Sequence, residues 1–408
     1  MGFNLDKVRS DFPILLQEYS KRPVHYLDSS CMSLRPKQVI AKENEYYEKY
    51  PACAGRSHHR WGNQVTEEVE KAREAVRKFI NARKPEEIIF TKNTTEAINL
   101  VAKSFPFQKG DAVITLDKEH NSNLLPWQVL KEKGISHIVV KTNDDGTFNM
   151  DNFKSALKPN VKLAALGLTA NLDGVTIPAK DIANECRSRG IKVLFDGAQY
   201  VPHFPTDVRK LDCDFLAFSG HKMCGPSGIG VLYGKKEALE LLSPLCIGGE
   251  TVIDSTYEGF TPEELPHMLE GGLQHYAGII GLGEACRYLT AIGMENVEKH
   301  VFCLNQKLTE LLKKPLEEGK ISLIGPYDPK SRGAIFNFII PGMNPHDAAI
   351  MLDESRNVMV RSGAHCVHSW FNARKLEGSV RASLHVYNTE DDVMALAEGI
   401  LELLSLKK

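Results

Sequence analysis

The stretch IKVLFDGAQYVPHFPTDVRKLDCDFLAFSGHK, residues 191–222, decides the fold. Ile191–Phe195 is an apolar run of strand length, and Asp196 stops it. Phe215–Phe218 is a second such run, stopped by Ser219 and followed by Gly220, His221 and Lys222. Short apolar runs bounded by turn residues read as buried strands. Working outward, Asp181–Arg189 has helical spacing and stops at Gly190, a helix terminator. Gly228–Tyr233 predicts another strand, leading into a helix over Lys235–Leu242. Further back, Glu87–Thr91, Asp111–Leu116, Ile135–Val140 and Val161–Leu168 are strand-like. Thr66–Ile80 and a segment starting at Thr94 or Thr95 are helical. Strands alternating with helices predict an α/β fold with a mainly parallel sheet covered by helices. From about Ala285 a second, smaller unit is expected. It has helices over Asn296–Leu312, Asp347–Glu354 and Asp391–Leu404, and strands at Ile321–Ile324, Ala334–Ile340 and Ser379–Leu384.

Composition narrows the function classes. The 408 residues carry 50 Lys plus Arg against 52 Asp plus Glu, for a net charge of −2. This balance favours neither nucleic acid nor a membrane surface as partner. No apolar run reaches the ~18 residues of a membrane span, so a soluble, cytoplasmic protein is the expectation. Nine scattered cysteines without a C-x-x-C pair argue against a disulfide framework or a zinc ribbon. No Gly-rich dinucleotide or P-loop motif occurs.

In open α/β sheets ligands collect at the carboxyl ends of strands. Here those loops hold Thr94 and Thr95, His120, Asn171, Asp196 and Gln199, and Ser219, His221 and Lys222. Five such loops together suggest one site. A lysine in a Gly-rich loop on a buried sheet can form a Schiff base with pyridoxal phosphate, since desolvation frees the amine. Asp196 reads either as a turn aspartate or as the anion that a pyridinium nitrogen needs, and Lys222 favours the second. Gln199 can then reach the phenolic oxygen. Asn93-Thr94-Thr95-Glu96 is either a simple helix cap or a phosphate cradle, which Ser219 and His221 would complete. His120 is a candidate for stacking on the ring and for moving protons. Cys366, in Arg361-Ser362-Gly363-Ala364-His365-Cys366, sits between cations that favour a reactive thiolate. Arg381, in the apolar run Val380–Leu384, is costly to bury unless an anion such as a substrate carboxylate pairs with it.

Taken together these segments resemble the class V, fold-type I pyridoxal-phosphate enzymes, and among them the group II cysteine desulfurases and selenocysteine lyases. The likeness runs from about Phe12 to Leu404. Its most specific parts are Asp196-Gly197-Ala198-Gln199 and Ser219-Gly220-His221-Lys222 with Gly225-Pro226, while the Cys366 segment and Arg381-Ala382-Ser383-Leu384 with Tyr387-Asn388-Thr389 match the group II pattern. The resemblance implies a homodimer with a large cofactor domain over residues 21–285. Residues 1–20 and 286–408 would form the small domain. It implies that Lys222 carries the cofactor, Asp196 pairs its ring nitrogen and Gln199 its ring oxygen. Thr94, Thr95, Ser219 and His221 would bind phosphate. His120 would stack on the ring beside Asn171, and Arg381, with Asn171 and Arg56, would hold substrate. The implied reaction converts L-cysteine to L-alanine and leaves the sulfur on Cys366 as a persulfide, for a sulfur-acceptor protein or iron–sulfur assembly. Selenocysteine lyase, C–S lyase, aminotransferase and epimerase are the alternatives. The chain departs from the family pattern at Gly55, at Ala364, and at Leu273, where a threonine usually contacts the partner's phosphate; Gln274 or His275 would have to substitute.

Overall fold

A computed structural model describes residues 3–406; positions 1, 2, 407 and 408, at the ends of the expected small domain, lie outside the described residues. The central sheet has seven strands: β1 (Ile88–Thr91), β2 (Ala112–Leu116), β3 (Ser136–Val140), β4 (Val161–Gly167), β5 (Lys192–Asp196), β6 (Phe215–Ser219) and β7 (Gly230–Gly234). Their order is β1-β7-β6-β5-β4-β2-β3. Neighbours from β6 to β3 pair in parallel, and β7 runs against both β6 and β1. The expected mainly parallel sheet is therefore present, with one reversed strand. Every residue of β1, β2, β6 and β7 is buried, as apolar runs covered on both faces require.

Helices cover the sheet. They include α1 (Lys37–Lys49), α2 (Arg60–Phe79), α3 (Thr94–Ser104) and α4 (Tyr276–Ile292). Twelve of the seventeen residues of α4 are buried. Residue 285, where the second unit is expected to begin, lies within this helix. At Gly283 an added Cβ would lie 2.6 Å from the Ala72 Cα of α2, so only glycine permits this close approach of the two helices. The helix expected at Lys235–Leu242 is a single turn, Lys236–Leu239.

The second sheet is antiparallel: β8 (Ser322–Leu323), β9 (Ile335–Ile339), β10 (Arg361–Gly363) and β11 (Ser379–Ser383), in the order β8-β9-β11-β10. Helices α5 (Met294–Leu311), α6 (Pro345–Arg356) and α7 (Glu390–Ser405) pack with it around a separate core that includes Phe336, Phe338, Leu352 and Leu396. Thr389 caps α7 reciprocally with Asp392.

The N-terminal segment contributes to both cores. Val8, Phe12 and Leu15 pack into the core of the large sheet, and Leu27 into that of the small one. The reason is a strand crossing: His25–Tyr26 pairs in parallel with Val358–Met359. The chain thus passes along the large unit, into the small one, and back. Residues 28–33, where it returns, are drawn to the seam between the two sheets.

Candidate active site

The carboxyl ends of β2, β4, β5 and β6, the start of α3, and the loops of the second sheet enclose a cavity of about 210 Å³. Lys222 lies in a short turn after β6, half-buried at the wall of the cavity. Burial lowers its pKa from the ordinary lysine value; Asp196 opposes this and Arg381 adds to it. Asp196 ends β5, with Oδ1 accepting from the Ala198 N–H at 2.9 Å. Burial raises its carboxyl pKa, and Lys222 works against that rise.

Asn93 caps α3 by accepting from the Glu96 N–H. The Thr94 N–H donates to Ser219 Oγ at 2.8 Å, and the Thr94 and Ser219 hydroxyls lie 2.6 Å apart. Thr95 pairs with Ser122 at 2.7 Å. Four hydroxyls thus gather at the positive end of a helix, as an anion site requires. An added Cβ at Gly230 would lie 2.6 Å from Asn93 Cα, so this glycine lets the start of β7 meet the cap.

His120 lines the cavity, its Nδ1 accepting from the Ser122 N–H at 3.1 Å. Burial, then Lys222 and Arg381, lower its pKa to about 3. A neutral ring accepting at Nδ1 carries its proton on Nε2. Burial likewise lowers His221 to about 4 and His365 to about 2. Unfolded, each histidine protonates near 6.5. Below that pH the unfolded chain binds more protons than the folded one, so stability falls as the pH drops toward 4. Each histidine adds up to about 1.4 kcal/mol per pH unit. His365→Asn, which tolerates the local backbone, is expected to shrink the loss seen by urea unfolding between about pH 7 and 4.5. An unchanged loss would mean that folded His365 takes up the proton.

The second sheet contributes the other wall. Arg381, on β11, donates through Nη1 to the Asn171 carbonyl at 3.0 Å and lies 3.5 Å from Asp28. Its Nε has no partner. The Asn171 side chain donates to the His365 carbonyl at 2.8 Å, and the Asn121 N–H to the Cys366 carbonyl at 2.8 Å. His365 (φ 49°) and Cys366 (φ 59°) are both left-handed, a conformation that the two docking bonds hold in place. Gln199 lines the cavity and donates one amide hydrogen to the Ser30 carbonyl.

All the expected site residues but one meet in this cavity. Arg56 does not. Its side chain is 57% exposed and lies 3.5 Å from Glu250. Leu273 is 75% exposed and also lies away from the cavity. Lining residues that were not assigned roles from the sequence include Ser30, Cys31, Lys118 and Glu119. Lys118 pairs with Asp173 at 2.7 Å, fixing the Asn171 loop, and burial raises Glu119 to about 8. The one available signal was the density of hydroxyl and thiol groups in Asp28–Ser33, which has no core periodicity.

Does this site fit pyridoxal phosphate? Three buried polar atoms of cavity residues lack partners among the described residues: Ser30 Oγ, His365 Nδ1 and Arg381 Nε. Such atoms are costly unless a polar ligand meets them. With an amine of lowered pKa, a carboxylate in the same cavity and an anion cradle, they suit a phosphorylated aldehyde and an amino acid. Fold and cavity therefore define the class: a fold-type I pyridoxal-phosphate enzyme.

Comparison with known proteins agrees. The aminotransferase class-V family profile matches residues 25–396, and the chain belongs to this family. A "Probable cysteine desulfurase" of Synechocystis sp. is 41% identical, over 95% of this chain and 92% of that protein. The crystal structure of a cysteine desulfurase from Escherichia coli superposes with a TM-score of 0.90 at 32% identity, covering 99% of each chain. The apo structure of cysteine desulfurase from Thermococcus onnurineus gives 0.92 at 36%, covering 98% of each.

Arg381→Lys keeps the charge but loses the planar fork. We expect a loss of about 1.5–3 kcal/mol in transition-state binding, roughly 10–100-fold in kcat/KM, mainly through KM. Steady-state kinetics check it; an unchanged KM would remove Arg381 from substrate binding.

Proposed function

We propose that this protein is an L-cysteine desulfurase that forms L-alanine and leaves the sulfur on Cys366. The observation that carries this reading is that Lys222 and Cys366, from different units of the chain, line one small cavity. Lys222, Asp196, Gln199 and the hydroxyls around Thr94 would hold pyridoxal phosphate, with the His120 ring against it. When bound, that cofactor supplies an electron sink for the pair left at the substrate Cα.

The chain's own residues do the rest. Arg381 orients the substrate carboxylate, and its unpartnered Nε is the free donor. Lys222 Nζ, whose pKa burial lowers, takes the Cα proton. The Cys366 thiolate attacks the substrate sulfur. An S–S bond forms, the Cβ–S bond breaks, and the carbon pair is protonated, so alanine leaves and a persulfide remains. Neutral His120, with its proton on Nε2, is placed to pass protons within the cavity. The two docking bonds to the 365–366 loop set the thiol's approach.

A homodimer belongs to this reading. The hairpin Val252–Ser255 with Phe260–Pro262 stands out from the core and exposes Ile253, Tyr257 and Phe260, a surface suited to a second copy. A sulfur-acceptor protein would remove the persulfide, with iron–sulfur assembly as one destination. Among the described residues no helix is long and apolar enough to cross a membrane; a cytoplasmic location is proposed.

The test is product analysis of the holoenzyme with L-cysteine and a reductant. Alanine matched by sulfide, with a persulfide mapped to Cys366, is expected. Pyruvate and ammonia in place of alanine would make the enzyme a C–S lyase and end the proposal.

A further inference from the structure

Cys31 is a second thiol in the same cavity. It lies in the turn after the His25–Tyr26 strand, its N–H donating to the Asp28 carbonyl at 3.1 Å. The turn is rigid. The Ser30 N–H donates to Ser383 Oγ at 2.8 Å, and the Ser30 carbonyl accepts from Gln199 at 2.8 Å. Arg361, five residues before Cys366, donates from Nη1 to Cys31 Sγ at 2.9 Å. The guanidinium thus faces the Cys31 sulfur directly. Lys222 senses both cavity thiols, since each in its thiolate form favours the charged amine. The other seven cysteines do not line the cavity. Burial pushes two of them, Cys186 and Cys213, up to about 12, where a thiol is inert. The cavity also holds the unpartnered, buried Arg381 Nε and His365 Nδ1, which mark it as a place where polar groups react rather than a packing void.

Resting on the desulfurase reading, we propose that Cys31 is a second sulfur carrier, accepting the outer sulfur of the Cys366 persulfide within the same chain. The Cys31 thiolate attacks the outer sulfur of Cys366–S–SH. The new Cys31–S bond forms as the old S–S bond breaks, and Cys366 leaves as a thiolate. Cys31–S–SH keeps the hydrogen of the outer sulfur. One thiolate and one persulfide enter and one of each leaves, so no oxidant or reductant is needed. Arg361 faces the negative charge on Cys31 before the exchange. Cys366 is restored and takes sulfur from a second substrate before any acceptor arrives.

The experiment mixes holoenzyme with excess L-cysteine, without reductant or acceptor. It counts alanine in the first burst and maps persulfides by alkylation and peptide mass spectrometry. The wild type is expected to give a burst approaching two alanines per chain, with sulfur on both Cys31 and Cys366. Cys31→Ser, a near-isosteric change, is expected to give one, with sulfur on Cys366 alone. Cys366→Ser is expected to leave Cys31 without sulfur, because the relay starts at Cys366. A wild-type burst of one with sulfur only on Cys366 would overturn the relay and leave the desulfurase reading standing. Sulfur on Cys31 in Cys366→Ser, with alanine still formed, would overturn it by making Cys31 the primary nucleophile. No alanine in the wild type would refute the desulfurase reading itself, and the relay with it.

Discussion

Lys222→Ala is expected to abolish alanine formation, with a loss of about 10³-fold or more, and to remove the visible absorbance of the lysine-bound cofactor. Two roles meet in one atom, which is why the effect is large. In the proposed reaction Nζ both attaches the cofactor and takes the Cα proton, and a positioned proton acceptor alone contributes about 10²–10⁴-fold. Burial lowers the pKa of the amine, which favours the uncharged form that both roles need. Arginine cannot substitute, because it stays protonated. The variant should still fold, since the lysine backbone carbonyl, which accepts from His385 Nε2 at 3.3 Å, is unchanged. Absorbance and single-turnover product analysis check this. A variant that kept both the band and the alanine would place the amine elsewhere.

The second large effect is expected at Cys366→Ala. Alanine formation from L-cysteine should fall by about 10³-fold or more, because a held thiol acts at an effective concentration on the order of 10⁵ M, far above any dissolved reductant. The cofactor band should remain, which separates this variant from Lys222→Ala. Turnover of selenocysteine should fall less, because selenide leaves more readily than sulfide. Parallel assays of the two amino acids check both statements. Undiminished alanine from L-cysteine would remove Cys366 as the nucleophile.

Much of the site was legible because its residues sit at strand ends. A strand of the central sheet is an apolar run, and its first polar successor faces the ligand edge. Asp196, Ser219 and Asn171 were found in this way, and all line the cavity. Lys222 and Cys366 needed the resemblance to join them, since 144 residues separate them along the chain (366 − 222 = 144). Arg56 shows the limit of carrying a role over by motif. The residue matches, yet its exposed side chain lies beside Glu250, outside the cavity of its own chain.

By itself the amino-acid sequence determined the alternation of strands and helices, the edge of the sheet at which ligands collect, and the chemical types gathered there. These are local properties, set by a period of two or 3.6 residues and by where an apolar run stops. Only the tertiary structure decided which distant groups share one cavity. The strand pair joining residues 25–26 to 358–359 draws Asp28–Ser33 to the seam between the sheets, and places Cys31 2.9 Å from Arg361 and in the same cavity as Cys366. No spacing along the chain encodes that meeting, because it depends on two cores packing against each other.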